Sequence, residues 1–160
     1  MSIREVKAFF AAHGMDGRVL EFETSSATVE LAAHTVGVIP ARIAKTLSFL
    51  TAQGPLLVVT AGDAKIDNHK FKETFGCKAK MLSPEEAVEL IGHAVGGVCP
   101  FAVKAGVKTC LDVSLQRFDT VFPACGSSNS AIELSCDELY ELSGALAWVD
   151  VCKGWQESEQ

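Results

Sequence analysis

The sequence predicts one α/β domain, residues 1–160, built on a mixed and mostly antiparallel sheet. Three observations carry that reading. A chain of 160 residues has the length of a single domain, and no linker, repeat or charge run divides it. The stretch ARIAKTLSFLTAQGPLLVVTAG holds two β-rich runs around a turn signal, which is a hairpin. Helical patterns then alternate with short strands that read as antiparallel neighbours, against a doubly wound nucleotide fold.

The elements follow in order. Over residues 3–13, Ile3, Val6, Phe9 and Phe10 share one helical face, and Gly14 and Gly17 close the helix. RVLEF at 18–22 reads as a strand. In SSATVELAAHTVG, Ser26 is the expected N-cap, while Val29, Leu31, Ala32 and Val36 supply a helix face ended by Gly37. The hairpin turns at Gln53-Gly54-Pro55. Helices are expected from Asp67 to Phe75 and from Ser83 to Ile91, the second opening on SPEE, where Ser83 caps and Glu85 and Glu86 suit the dipole. Short strands follow around 101–104, 108–113, 119–124 and 130–134, then a helix at 136–143 with Leu139 and Leu142 inward, and a closing strand LAWVDVC.

Composition narrows the function classes. With 48% hydrophobic and 21% charged residues the chain forms a packed core. The longest apolar runs, such as PLLVVTA, fall far short of the roughly 20 residues that span a bilayer, so no membrane partner is expected. MSIREVKAFFAAHG is charged and amphipathic rather than a leader, which reads as a mature, cytoplasmic protein. The six cysteines form no C-x-x-C pair and read as reduced and partly buried rather than as a zinc site. Asp67-Asn68-His69 is the one local cluster resembling a metal half-site, and a solvated helix start explains it. A net charge of −6 disfavours a large nucleic-acid footprint and DNA as a partner. Lys65, Lys70, Lys72, Lys78 and Lys80 can still form a local basic patch, or simply a solvated helix face.

Four features could carry chemistry. In RIAKTLSFL, strand alternation puts Lys45 in one row with Ile43, Leu47 and Phe49. A lysine there snorkels to a nearby sheet edge, loses its charge through a lowered pKa, or meets an anion in a pocket. The paired glycines of GGVCPF, Gly96 and Gly97, permit a sharp bend and close approach of a ligand to the backbone, with Pro100 stiffening the exit; a plain tight turn explains them as well. ACGSSNSAIEL reads as a hairpin loop whose backbone donors can hold an anion, without P-loop spacing. Cys99, beside the glycine pair, is the cysteine whose neighbourhood suggests exposure, with Lys45 or His93 as a possible activating neighbour. No G-x-S-x-G elbow is present.

Together, AKTLSF around Lys45, GGVCPF at 96–101 and GSSNSAIELSCDEL at 126–139 resemble the YbaK family, which includes free-standing aminoacyl-tRNA editing proteins and the editing domain inserted in bacterial prolyl-tRNA synthetases. The likeness runs from the helix at 27 to the final strand. It implies a sheet curled into a partly closed barrel with flanking helices, and hydrolysis of the ester joining a wrong amino acid to the 3′-terminal adenosine of a tRNA. Such editing is needed because small side chains differ by only about 1–3 kcal/mol in binding. Carried over, the family's lysine is Lys45, expected to hold the anionic tRNA end and orient the ester. Gly96, Gly97 and Pro100 would contact the aminoacyl group and the attacking water, and Gly126 and Ser127 would wall the pocket. The terminal ribose 2′-hydroxyl would assist the water, so no metal, no cofactor and no protein base is implied. The partners implied are the aminoacyl-tRNA 3′ end and a synthetase. Where cysteine-editing relatives have a serine and an aspartate, this chain has Ala124 and Ala131, so their substrate preference is not transferred. Two further readings stay open: a non-catalytic module that binds an aminoacylated end or a synthetase, and a Cys99-dependent hydrolase.

Overall fold

The computed structural model describes residues 2–25 and 28–155. Helix α1 (Ser2–Ala11) buries Val6 and Phe10 completely, with Ile3 and Phe9 packed on the same core. It ends two residues before the expected limit, in a turn where Gly14 takes φ 70°. After the short β1 (Val19–Glu21), α2 (Val29–Val36) is capped by Thr28, whose hydroxyl accepts the Leu31 N–H at 3.1 Å, and is closed by left-handed Gly37. Ser26, the expected cap, lies outside the described residues.

β2 (Ile43–Thr51) and β3 (Gly54–Ala61) form the hairpin. Their register runs from Ala44↔Ala61 to Thr51↔Gly54, which makes the turn Ala52-Gln53 rather than Gln53-Gly54-Pro55. Pro55 lies inside β3, opposite Leu50, but one residue before the ladder to the next strand begins at Leu56↔Lys108, where its missing N–H costs nothing. β4 (Lys65–Ile66) leads to α3 (Asn68–Phe75), capped by Asp67, whose carboxylate accepts from the N–H groups of His69 and Lys70. That cap, with a His69–Glu73 pair one turn on, accounts for the apparent metal half-site. α4 (Pro84–Glu86) opens on a Ser83–Glu86 capping box and runs on as a π-helical turn, Ala87–Ile91, ended by left-handed Gly92.

The rest of the chain supplies β5 (Lys108–Asp112), β6 (Thr120–Pro123), β7 (Ser130–Ile132), β8 (Leu134–Ser135), α5 (Cys136–Leu142), β9 (Trp148–Val149) and β10 (Cys152–Lys153). Two expectations are corrected here. The apolar run at 101–104 is not a strand: Phe101 is buried against the rings of Phe9 and Phe10, and Ala102 takes a left-handed φ of 53° that no strand tolerates. The closing strand is two short ones, β9 and β10, which join different sheets.

Six strands in the order β8-β6-β2-β3-β5-β9 form one mixed sheet, curled into a half-barrel. Antiparallel ribbons β1–β7 and β4–β10 complete the strands. Antiparallel pairings are the more numerous overall, yet β2/β6, β3/β5 and β5/β9 are parallel. The expectation that neighbouring strands are antiparallel fails at β3 and β5, because β4, α3 and α4 intervene and such a crossover delivers the next strand of the sheet parallel. The main core joins Phe10, Phe49, Phe71, Leu115 and Leu139 with the buried middle of β3. α2 sits apart, packed through Ala33 on Ile43 and Phe122.

Candidate functional site

A gap in the sheet makes the site. The parallel ladder between β2 and β6 covers Ile43↔Phe122 and Ala44↔Pro123 and then stops, since Pro123 has no N–H to give. Farther along the same edge of β2, the segment around Met81 takes over: Leu82 N–H donates to the Ser48 carbonyl at 3.1 Å, and Leu50 N–H to that of Lys80 at 2.8 Å. Between these two partners β2 has an open edge. Peptide groups alternate across a strand, so the N–H and C=O of Thr46 face this edge, as the Ser48 carbonyl does. The Thr46 hydroxyl is also buried there without a hydrogen-bond partner among the described residues.

A cavity of about 280 Å³ occupies the gap, close to the lower end of the roughly 300–1,000 Å³ usual for ligand pockets. One wall is α2, through Val29, Ala32 and Val36. Gly62 brings that helix close: a Cβ there would lie 2.1 Å from the Pro40 carbonyl oxygen and 2.6 Å from Val29 Cγ1. The opposite wall is the loop after β6, including Ala124, Ser127 and Ser128. This loop is tied down locally. Ser127 Oγ lies 2.8 Å from both Asn129 Oδ1 and Ser130 Oγ, while Asn129 donates to and accepts from the Phe22 backbone.

The glycine pair locks the two loops together. Gly96 faces the cavity with φ 96°, a left-handed value that favours glycine. Gly97 lies behind it, and a Cβ there would stand 2.6 Å from the Gly126 carbonyl and 2.7 Å from Ser127 N. Gly126 and Pro100 are likewise second to the cavity, Pro100 being buried. Of the six residues named from sequence, Lys45, Gly96 and Ser127 line the cavity; Gly97, Pro100 and Gly126 support its loops. Phe22, Val29 and Leu47 also line it, as do Ala124 and Ala131. Sequence reasoning missed Thr46 and Gly62. Thr46 alternates away from Lys45 and looks like an ordinary strand residue, and a glycine's close approach leaves no spacing signal.

Lys45 is half-buried on the cavity wall. Among the described residues it has no ion pair. Burial lowers its pKa, opposed by the negative charges of Asp63 and Glu30. Asp63 is already engaged by Arg117, at 2.5 and 3.0 Å. The cation therefore sits where an incoming anion is favoured. Cys99 corrects an expectation: it is fully buried, not exposed. Its Sγ lies 3.6 Å from His93 Nε2, and that nitrogen donates to the Phe101 carbonyl at 2.7 Å. Burial pushes the thiol up to about 12, so at neutral pH it is no nucleophile.

Comparison with known proteins identifies the family and the fold. Residues 23–142 match the aminoacyl-tRNA editing domain. An uncharacterized protein of Bacillus subtilis (strain 168), YwhH, is 56% identical over 158 residues, 98% of this chain and 100% of that protein. The crystal structure of a proposed trans-editing enzyme for prolyl tRNA synthetase superposes with a TM-score of 0.86 at 30% identity, over 96% of this chain and 98% of that one. That of the hypothetical protein APE2540 gives 0.83 at 33% identity, over 93% and 99%. On the matched length, the identities and the shared half-barrel, the chain belongs to the aminoacyl-tRNA editing domain family, the YbaK family.

Proposed function

We propose that the protein is a trans-acting aminoacyl-tRNA deacylase that hydrolyses the ester of a mischarged tRNA. The observation that carries this reading is Lys45, a half-buried ammonium with no ion pair among the described residues, on the wall of a cavity whose other lining side chains are apolar or hydroxyl-bearing and uncharged. The ammonium holds the anionic 3′ end and sets the ester carbonyl over the open edge of β2. Water attacks the carbonyl carbon, the bond to the ribose oxygen breaks, and the proton from water passes to that oxygen. The products are a free amino acid and a tRNA with its terminal hydroxyl restored. As the family resemblance implies, the ribose 2′-hydroxyl assists the water, so no side chain need act as base and no metal is required. Lys45 and the peptide dipoles facing the gap form an electrostatic site fixed before substrate arrives.

The cavity sets the sieve. Val29, Ala32, Leu47 and Ala131 offer nothing to pair with a charged aminoacyl side chain, which would lose its hydration on entry. Small uncharged side chains are the favoured class. Steady-state deacylation of a panel of mischarged tRNAs, in the presence of a chelator, tests the reading. Saturable binding of a non-hydrolysable aminoacyl-adenosine analogue with no turnover of any ester would instead make the protein a binding module.

A further inference from the structure

Lys65 and Lys153 are exposed and stand directly opposite one another in the ribbon β4–β10, beside the pair Ile66↔Cys152. Like charges opposed across two strands weaken a ribbon, and this one has only two residue pairs to hold it. Among the described residues neither lysine has an ion pair. The acidic groups nearby are held by other partners, although the Asp67 carboxylate also feels the Lys153 charge. Asp63 is held by Arg117, Asp150 pairs with Lys70 at 3.1 Å, and Asp67 caps α3. Of the local lysine cluster in the sequence, Lys70 is thus neutralised, whereas Lys65 is left with Lys153 as its neighbour.

The ribbon follows closely in the chain on the strand that pairs with Lys45. β3 pairs Thr60 with Lys45 and ends at Ala61, and only three residues separate its end from Lys65. At roughly 3.5 Å per residue, Lys65 stays within about 18 Å of Thr60. The Lys65 and Lys45 charges act on one another, and Cys152, the neighbour of Lys153, is buried in the main core. On a chain of net charge −6, Lys65 and Lys153 thus present two exposed cations without an ion pair among the described residues, and the Lys65 charge reaches Lys45.

We propose that Lys65 and Lys153 form a phosphate-binding pair that grips the backbone of the tRNA acceptor end while the 3′ ester enters the cavity beside Lys45. The proposal rests on the deacylase reading and adds the surface that recruits the substrate. Phosphate contacts position a nucleic acid without reading its sequence, so the pair supplies affinity and not choice of tRNA.

Equilibrium binding of uncharged tRNA across a salt series tests the surface without catalysis. The double variant Lys65→Ala/Lys153→Ala should bind about fivefold more weakly than wild type, the scale of two exposed ion pairs. Its dependence of log K on log salt should be shallower by about 1.4–1.8, two contacts' worth. Lys108→Ala, which removes one exposed charge from β5, should leave both unchanged. In deacylation assays the double variant should raise KM for aminoacyl-tRNA and keep kcat, while hydrolysis of 3′-aminoacyl-adenosine, which lacks the acceptor phosphates, stays at the wild-type rate. Equal affinity and salt slope in wild type and double variant would overturn the surface. A changed slope in a protein that hydrolyses no ester would sink the deacylase reading alone.

Discussion

Thr46 and Cys99 show how burial separates groups that serve the site from groups that serve the core. The Thr46 hydroxyl is buried beside the cavity without a partner among the described residues, and an unmade hydrogen bond of this kind costs about 1–3 kcal/mol. Thr46→Val removes that cost, so the melting temperature should rise, by about 2–4 °C per kcal/mol at this chain length. If the hydroxyl meets the aminoacyl group, kcat/KM should at the same time fall about tenfold. Thermal unfolding and deacylation kinetics on one preparation check both. Cys99→Ser should keep kcat/KM within about twofold, because the thiol is sealed from solvent and burial keeps it protonated; inactivation by this change would restore a thiol mechanism. Lys45 was legible in the sequence because a cation breaks an apolar alternation. Thr46 was not, since a threonine in a strand signals nothing until the strand's edge is seen to be open.

At the scale of elements, the site depends on two loops held at backbone contact. Gly97→Ala would drive a Cβ to 2.6 Å from the Gly126 carbonyl, and backbone cannot step aside as a flexible side chain can. Overpacking of this kind costs about 1–3 kcal/mol. The expected result is a melting temperature lower by several degrees, with loss of deacylation as the cavity wall shifts. Gly17→Ala, which meets nothing within 4 Å, should change neither. The hairpin β2–β3, helices α2 and α3, and the Ser83 cap of α4 were readable because strand propensity and helical periodicity agree with the fold there, although the hairpin turn fell one residue earlier, at Ala52-Gln53. The run at 101–104 misled because one deeply buried aromatic, Phe101, imitates a strand's apolar pattern while Ala102 bends the chain away. The parallel pairings were hidden for another reason: sequence patterns locate strands but do not say which strand lies beside which.

At the scale of the whole molecule, long-range links tie distant parts of the chain together, and one is pH-dependent. Arg18, near the start of the chain, donates to the Glu138 carboxylate of α5 at 2.9 and 3.1 Å and to the Glu133 carbonyl at 2.6 Å. The hydrogen bond from Arg18, with that from the Ser135 N–H, holds the Glu138 carboxyl down to about 2. A carboxyl depressed on folding contributes stability above its unfolded value, near 4.3, and loses it as pH falls toward about 2. Both side chains are more than a third exposed, so the contribution is small, below about 1 kcal/mol. Wild type should therefore melt up to about 3 °C above Glu138→Gln at pH 7, and the two curves should converge between pH 4 and 2. The central claim is that the cavity beside Lys45 hydrolyses a mischarged ester. Its most direct test is the kcat/KM of wild type and Lys45→Ala on alanyl-, seryl- and cysteinyl-tRNA side by side. The account predicts that wild type deacylates at least one of the three and that Lys45→Ala loses about 100-fold on it, the scale of a preorganised electrostatic group. Equal, background rates for the two proteins on all three esters would contradict it.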